Sequence, residues 1–176
     1  MKRLKSIFIY TVLFFGFLIF FAPKTYFYYL LESELDKKNV TISQERVFDK
    51  GFCLKTEEGR VYYDDLEVGK FETFSVLPAL LFNKINVKNF TLSDDMSRFL
   101  KGNIESIDLT YHVVTPMTLH LSVMADTGDM YGTINIKDRN ISLNVSPSPS
   151  LLKEAPFWLK KLKKSAEGEY LYETIY

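Results

Sequence analysis

Apolar and polar residues divide the chain into an unbroken apolar run near its start and a long stretch in which the two alternate. The run extends from Ile7 to Ala22, carries no charge and ends at Pro23. As a helix it would span about 24 Å, slightly less than a bilayer core, and Lys5 and Lys24 can extend to the headgroups to close the difference. We therefore predict a single transmembrane anchor. Its apolar side chains are Ile7, Phe8, Ile9, Val12, Leu13, Phe14, Phe15, Phe17, Leu18, Ile19, Phe20 and Phe21.

The first residues also fit the basic start of a secretory signal peptide. Signal cleavage needs small residues at alternating positions before the cut, whereas the run ends in the bulky pair Phe20 and Phe21. The aromatic residues 26–29 are typical of an interfacial belt beside a retained helix. We favour a retained anchor over a cleaved signal and over a third interpretation, a helix buried in a soluble core.

Positive charge is concentrated in residues 1–5, whereas only Lys24 lies immediately beyond the run, and Lys37 and Lys38 come later, beside the acidic residues of 32–36. Because positively charged segments stay on the cytoplasmic side, the amino terminus is predicted to be cytoplasmic. The chain then divides into a cytoplasmic tip (1–6), a transmembrane anchor (7–23), a membrane-proximal helix (24–39) and a β domain across the membrane (40–176).

Alternation of apolar and polar residues begins at Val40 and ends at Val145, which indicates β-strands. In the first half, Glu57-Glu58-Gly59 is interpreted as the turn of a hairpin between Phe52–Leu54 and Val61–Tyr63. The second half has one apolar face on each strand, so we predict an antiparallel meander with one packed and one wet face. These strands centre on residues 107–113, 117–123, 130–136 and 141–145.

Two helices flank the predicted sheet. Residues 25–38 form the first, with Thr25 as its N-cap, and residues 151–162 form an amphipathic second helix after a Ser-Pro linker. Lysines line the polar side of the second helix, which either covers a sheet face with Trp158 in the core or lies on an anionic membrane. We favour the cover. The fold class is mainly β (α+β): one transmembrane helix, then a curved antiparallel sheet with these two helices.

Composition limits the partners of the exported part. The chain has 22 basic and 22 acidic residues, and removing the three basic residues before the apolar run leaves a net charge of −3. This excludes a general nucleic-acid binder, which needs a basic face. Cys53 is the only cysteine, so no internal disulfide forms; we interpret it as a small buried hydrophobe, with an intermolecular bridge as the alternative.

Candidate chemistry is sparse. His112 and His120 lie on neighbouring predicted strands, but two ligands are too few for a closed zinc site. The acidic pairs at 64–65 and 94–95 lie beside turns, where carboxylates are solvated and keep ordinary acidity. The sequence has no phosphate loop, nucleophile elbow or zinc-protease motif. We predict no catalytic, metal or cofactor residues and therefore no enzyme.

One stretch resembles a known family. Residues 61–68 and 74–92, with the strand Ile85-Asn86-Val87-Lys88-Asn89-Phe90-Thr91-Leu92, resemble the AsmA-like proteins and, among them, protein N of type II secretion systems. The resemblance implies a short helix at Val76–Phe82, extends to Met130–Ile134 and Gly168–Tyr170, and covers most of residues 40 to 172. It implies a single-pass protein of the bacterial inner membrane with a periplasmic β domain.

Two functions follow as expectations. The first is a non-enzymatic component of an envelope assembly, of the type II secretion, type IV pilus or DNA-uptake type, that recruits protein partners by strand addition. The alternative is an AsmA-like lipid-binding or lipid-transfer module that holds the acyl chains of a phospholipid on an apolar sheet face. In both, the other partner is the lipid bilayer of the inner membrane.

Overall fold

The computed structural model describes residues 2–79, 81–97, 102–154, 159, 162–165 and 169–175. Two helices open the chain, α1 (Lys2–Phe21) and α2 (Lys24–Asp36), and two short helices follow later, α3 (Asp94–Ser97) and α4 (Pro149–Glu154). The strands are β1 (Val40–Ser43), β2 (Arg46–Asp49), β3 (Leu54–Tyr63), β4 (Leu66–Pro78), β5 (Phe82–Leu92), β6 (Asn103–His112), β7 (Thr118–Ala125), β8 (Gly128–Asn135), β9 (Asn140–Pro147), β10 (Lys163–Lys164) and β11 (Tyr170–Ile175).

All eleven strands belong to one antiparallel sheet, which confirms the mainly β prediction. Their order is β1-β3-β4-β5-β6-β7-β8-β9-β11-β10, and β2 pairs with the other half of β3. From β3 to β9 each strand pairs with the next in the chain, through short connections except between β5 and β6, where residues 93–102 include α3. The predicted meander of the second half is therefore confirmed.

The predicted hairpin turn at Glu57-Glu58-Gly59 is wrong. These residues lie inside β3, and the turn is at Asp64 and Asp65, which both have positive φ, 46° and 65°. Aspartate tolerates that left-handed conformation because its short side chain can bond locally, so Asp-Asp makes the tight connection to β4. Gly59 instead leaves room within β3 for the ring of Phe71 from the neighbouring strand.

The short helix implied at Val76–Phe82 is also wrong. β4 continues to Pro78 and β5 begins at Phe82, and the Ala79 amide donates to the Phe82 carbonyl at 3.0 Å. Proline is tolerated there because the strand ends at that residue.

Both helices that flank the sheet differ in detail from their predicted bounds and roles. α2 begins at Lys24 after Pro23, with no side-chain cap, so Thr25 is a helical residue and not the N-cap. At the other end, Lys163 and Lys164 form β10 rather than the polar side of a helix, and they pair with Leu171 and Tyr170. Much of the predicted second helix, including Trp158, lies outside the described residues, as does the tripeptide 166–168.

The core lies between α2 and one face of the sheet. Its buried members are Tyr28, Ile42, Leu54, Phe71 and Phe74. Phe71 and Phe74 are three residues apart, yet their rings lie 6.1 Å apart in the same core. Residues 58 and 89, on the two strands that flank β4, have positive φ values. They mark the position along the strands where the alternation of buried and exposed side chains shifts by one residue, so that both rings face the core.

Candidate functional site: anchor junction, apolar face and open edge

The twelve predicted anchor residues all lie on α1, and their side chains are exposed except that of Ile19, which is half-buried. Within the described residues, α1 from Arg3 to Phe21 is the one helix long and apolar enough to cross a membrane. The exposed apolar side chains of α1 make this helix a possible transmembrane anchor.

Lys24 locks the end of α1 to the start of α2. Its side chain is only 2 % exposed, and Nζ donates to the carbonyls of Phe20 at 3.1 Å and Ala22 at 3.0 Å. The Asp49 carboxylate lies 3.8 Å from the same nitrogen. A positive charge is stabilised by the carbonyls and the negative dipole at a helix C-terminus. The predicted snorkelling lysine is therefore a buried C-terminal cap.

Aromatic packing continues this junction. The rings of Phe20 on α1 and Phe52 in the β2–β3 loop meet edge to face, with centroids 5.3 Å apart. Gly51 in the same loop has a φ of 79°, and a Cβ there would approach the Phe20 ring to 2.4 Å. The loop thus places its backbone directly against α1, which only glycine allows at this position.

The direction of α2 distinguishes the two ends of the sheet. α2 begins beside Asp49, at the start of β3, and after its last turn the Asn39 carbonyl accepts a hydrogen bond from the Asp64 amide at the far end of β3. We call the end with the β2–β3, β4–β5, β6–β7 and β8–β9 connections the anchor end. The opposite end, with the β3–β4 and β7–β8 turns and α3, is the acidic end, since it carries Asp64, Asp65, Asp94, Asp95 and Asp126.

The predicted aromatic belt at residues 26–29 is split by the fold. Tyr26, Phe27 and Tyr29 are exposed on α2, but Tyr28 is 2 % exposed and packs against Phe74 at 5.9 Å. The Tyr28 hydroxyl is buried. Burial, with the nearby Glu45 carboxylate, raises the pKa of that hydroxyl above its ordinary value. Tyr28 is therefore a core residue that seats α2 on the sheet.

Beyond α2 the apolar face continues over β5 to β9 as half-buried aliphatic side chains. Cross-strand pairing brings them into rows, such as Ile85–Leu109–Leu121. The face comprises Ile85, Val87, Ile107, Leu109, Leu121, Val123, Ile134, Ile141 and Leu143, all partly exposed. Aliphatic side chains in this state keep accessible apolar surface, which an acyl chain or an apolar peptide can cover.

The sheet also has an open edge. β10 pairs only with Tyr170 and Leu171 of β11, so in the described part of the chain the outer edge of residues 172–175 has no strand beside it. Tyr172 and Ile175 are exposed there. Unpaired amide and carbonyl groups on such an edge can accept another strand.

The candidate chemical residues do not converge. The rings of His112 and His120 lie 5.8 Å apart, as predicted for neighbouring strands, but the described residues contain no group of three or more His, Cys, Asp or Glu side chains that could hold a metal. Cys53 is half-buried and unpaired. The acidic pairs at 64–65 and 94–95 are exposed at the acidic end, 64–65 in a turn and 94–95 at the start of α3.

Comparison with protein-family models, with curated proteins and with solved structures found no match. The resemblance to AsmA-like proteins therefore stays a prediction. Sequence reasoning missed the roles of Lys24 and Tyr28. The sequence did contain a signal for Lys24, which lies two residues after Ala22, the end of the apolar run. A lysine at that distance can fold back and bind the carbonyls at the end of the helix.

Proposed function

We propose that the chain is a non-enzymatic adaptor of a bacterial envelope assembly, anchored in the inner membrane by α1. The amino terminus is cytoplasmic and the β domain is periplasmic, following the concentration of basic residues before α1. The assembly is of the type II secretion, type IV pilus or DNA-uptake type, as the resemblance implies.

The anchor junction carries this proposal. A buried lysine cap and the contact between Phe20 and Phe52 join α1 to the sheet without a flexible linker. An adaptor gains from such a joint because a partner bound to the sheet is then held at a defined place relative to the membrane. The open edge of β11 supplies the binding surface, by addition of a partner strand at Tyr172 to Ile175.

The test is site-specific photo-cross-linking in the native host. A photoreactive residue at Glu173, on the open edge, should give adducts with proteins of an envelope machine. The matched position is Ser122, which is exposed in the centre of β7 between two paired strands. Adducts at Ser122 equal to those at Glu173, or adducts with none of these machines, would overturn strand addition. A phosphatase fused after Tyr176 should be active only if that end is periplasmic.

The apolar face of β5 to β9 favours a second candidate, a lipid-holding module. Its aliphatic rows are the chemistry that an acyl chain needs. Mass spectrometry of the protein purified in mild detergent separates the two functions. Stoichiometric phospholipid without any assembly partner supports the lipid module, and lipid-free protein that retains envelope partners supports the adaptor.

A further inference from the structure

Exposed apolar side chains form a row along the anchor end of the sheet. They belong to the β2–β3 loop, the three turns β4–β5, β6–β7 and β8–β9, and the last residue of β11. Leu81 is 72 % exposed, Val114 91 %, Ile136 46 % and Ile175 81 %, and Phe52 and Met117 are also exposed. Turns of antiparallel sheets are normally polar, so apolar residues at successive tips need a specific reason.

The tips are connected to one another. The Val113 amide donates to the Leu81 carbonyl at 3.0 Å, and the Ile136 amide donates to the Met117 carbonyl at 2.8 Å. Adjacent strands lie about 4.8 Å apart, so the row from β3 to β8 extends about 24 Å. The three turns are therefore joined to one another, and together with Phe52 at one end and Ile175 at the other they form a strip along the anchor end of the sheet.

The strip begins where the membrane helix ends. Phe52, its first member, contacts Phe20 on α1, and α2 runs from this end toward the acidic end beside the strands. The two ends differ in chemistry as well. The acidic end carries five aspartates, partly offset by Lys37 and Lys38, whereas the β8–β9 turn carries Lys137 and Arg139 around Asp138.

We propose that the strip is a membrane-contact surface: the anchor end of the sheet lies on the bilayer, with its apolar tips among the lipid headgroups and upper acyl chains. The lipid surface is chosen over a protein occupant because the strip is continuous with the anchor helix, which fixes it beside the bilayer. Lys137 and Arg139 lie where anionic headgroups would be. The sheet then stands on the membrane with its acidic end directed away, and the open edge at Ile175 lies near the lipid.

The experiment uses the full chain with Cys53→Ser, an environment-sensitive fluorophore on a single introduced cysteine, and vesicles of phosphatidylethanolamine and phosphatidylglycerol containing a spin-labelled lipid as quencher. Ile136→Cys is the informative position because α1 alone, with a radius of about 5 Å, cannot bring lipid to a site about 24 Å along the row. Asp129→Cys is the control. It is exposed near the start of β8, the strand that leads into the turn with Ile136, and lies about 23 Å from that residue toward the acidic end.

We expect a blue-shifted emission and at least severalfold stronger lipid quenching at Ile136 than at Asp129. Val114→Cys, at the most exposed tip, repeats the measurement and should give the same result. Equal quenching at residues 136 and 129, or none at residues 136 and 114, overturns the proposal. So does a blue shift at Ile136 that lipid does not quench and that disappears on dilution, because it would show that a second copy covers the strip.

Discussion

The contact between Gly59 and Phe71 offers a sharp test of how the sheet builds its core. A Cβ at Gly59 would lie 2.1 to 2.8 Å from three ring atoms of Phe71, Cζ and the two Cε atoms. Phe71 is buried against Phe74, so its ring has little space into which it can move. Leucine has the shape of phenylalanine without those three atoms, which makes Phe71→Leu the matched partner change for Gly59→Ala.

The magnitudes follow from these contacts. Gly59→Ala overpacks a closed site and should lower the free energy of unfolding by about 1–3 kcal/mol. Phe71→Leu removes three buried carbons, which at about 0.8 kcal/mol each lowers it by about 2 kcal/mol. In the double variant the clash is absent, and the new methyl fills part of the vacated space. The double variant should therefore lose less free energy of unfolding than the sum of the losses in the two single variants, by about 1–3 kcal/mol.

The assay is urea unfolding of the full chain in detergent micelles, followed by the circular dichroism of the strands. Gly16→Ala is the control, because a Cβ at that position in α1 meets nothing within 4 Å. Costs that simply add, or a Gly59→Ala variant as stable as the Gly16→Ala variant, would refute the assignment of Gly59 as the space for the Phe71 ring.

Three further outcomes are expected. Lys24→Ala should lower the thermal midpoint and increase the mobility of a spin label on α1 relative to the sheet, and Lys24→Arg should retain much of the order because it restores a cationic donor. Burial, with the Glu45 and Asp36 carboxylates, raises the pKa of Glu32 above its ordinary 4.5. The folded protein therefore binds the Glu32 proton more tightly than the unfolded chain does, and the free energy of unfolding falls as the pH rises from the ordinary pKa through the raised one. Glu32→Gln should therefore raise the urea midpoint at neutral pH and not below the ordinary pKa; an equal gain at both would contradict this. Gly132→Ala should prevent folding, seen as loss of strand dichroism, because its Cβ would lie 2.0 Å from the Ser142 carbonyl.

Periodicity was sufficient to predict the second half of the sheet. Apolar residues recur at alternate positions along most of β6 to β9, and the three connections between these strands contain Pro or Asp, so local sequence and tertiary pairing agree. The apolar helix α1 was predictable because an uncharged run of that length forms a continuous helix long enough to cross a membrane.

The first half was harder because its long strands contain residues that favour turns. Gly59 was read as a turn residue, but its lack of a side chain is used for packing against Phe71. Similarly, the family resemblance implied a short helix at Val76–Phe82, whereas Pro78 ends β4 at a tight connection. In both places one residue type serves two structural purposes, and only the neighbouring strand determines which applies.

The cap formed by Lys24 has a local signal in the sequence, but the burial of Lys24 and Tyr28 could not be predicted because it depends on groups distant in the sequence. Lys24 is stabilised when burial brings Asp49 near the end of α1, and Tyr28 becomes a core residue only when β4 places Phe74 beneath it. These two contacts fix the start of α2, and α2 fixes which end of the sheet faces the anchor. A change that freed Lys24 would therefore disturb the apolar strip and the open edge together, although both lie on other elements. Loss of lipid quenching at Ile136 in a Lys24→Ala protein that is still folded would demonstrate this dependence, whereas unchanged quenching would show that the tips hold the membrane without the junction.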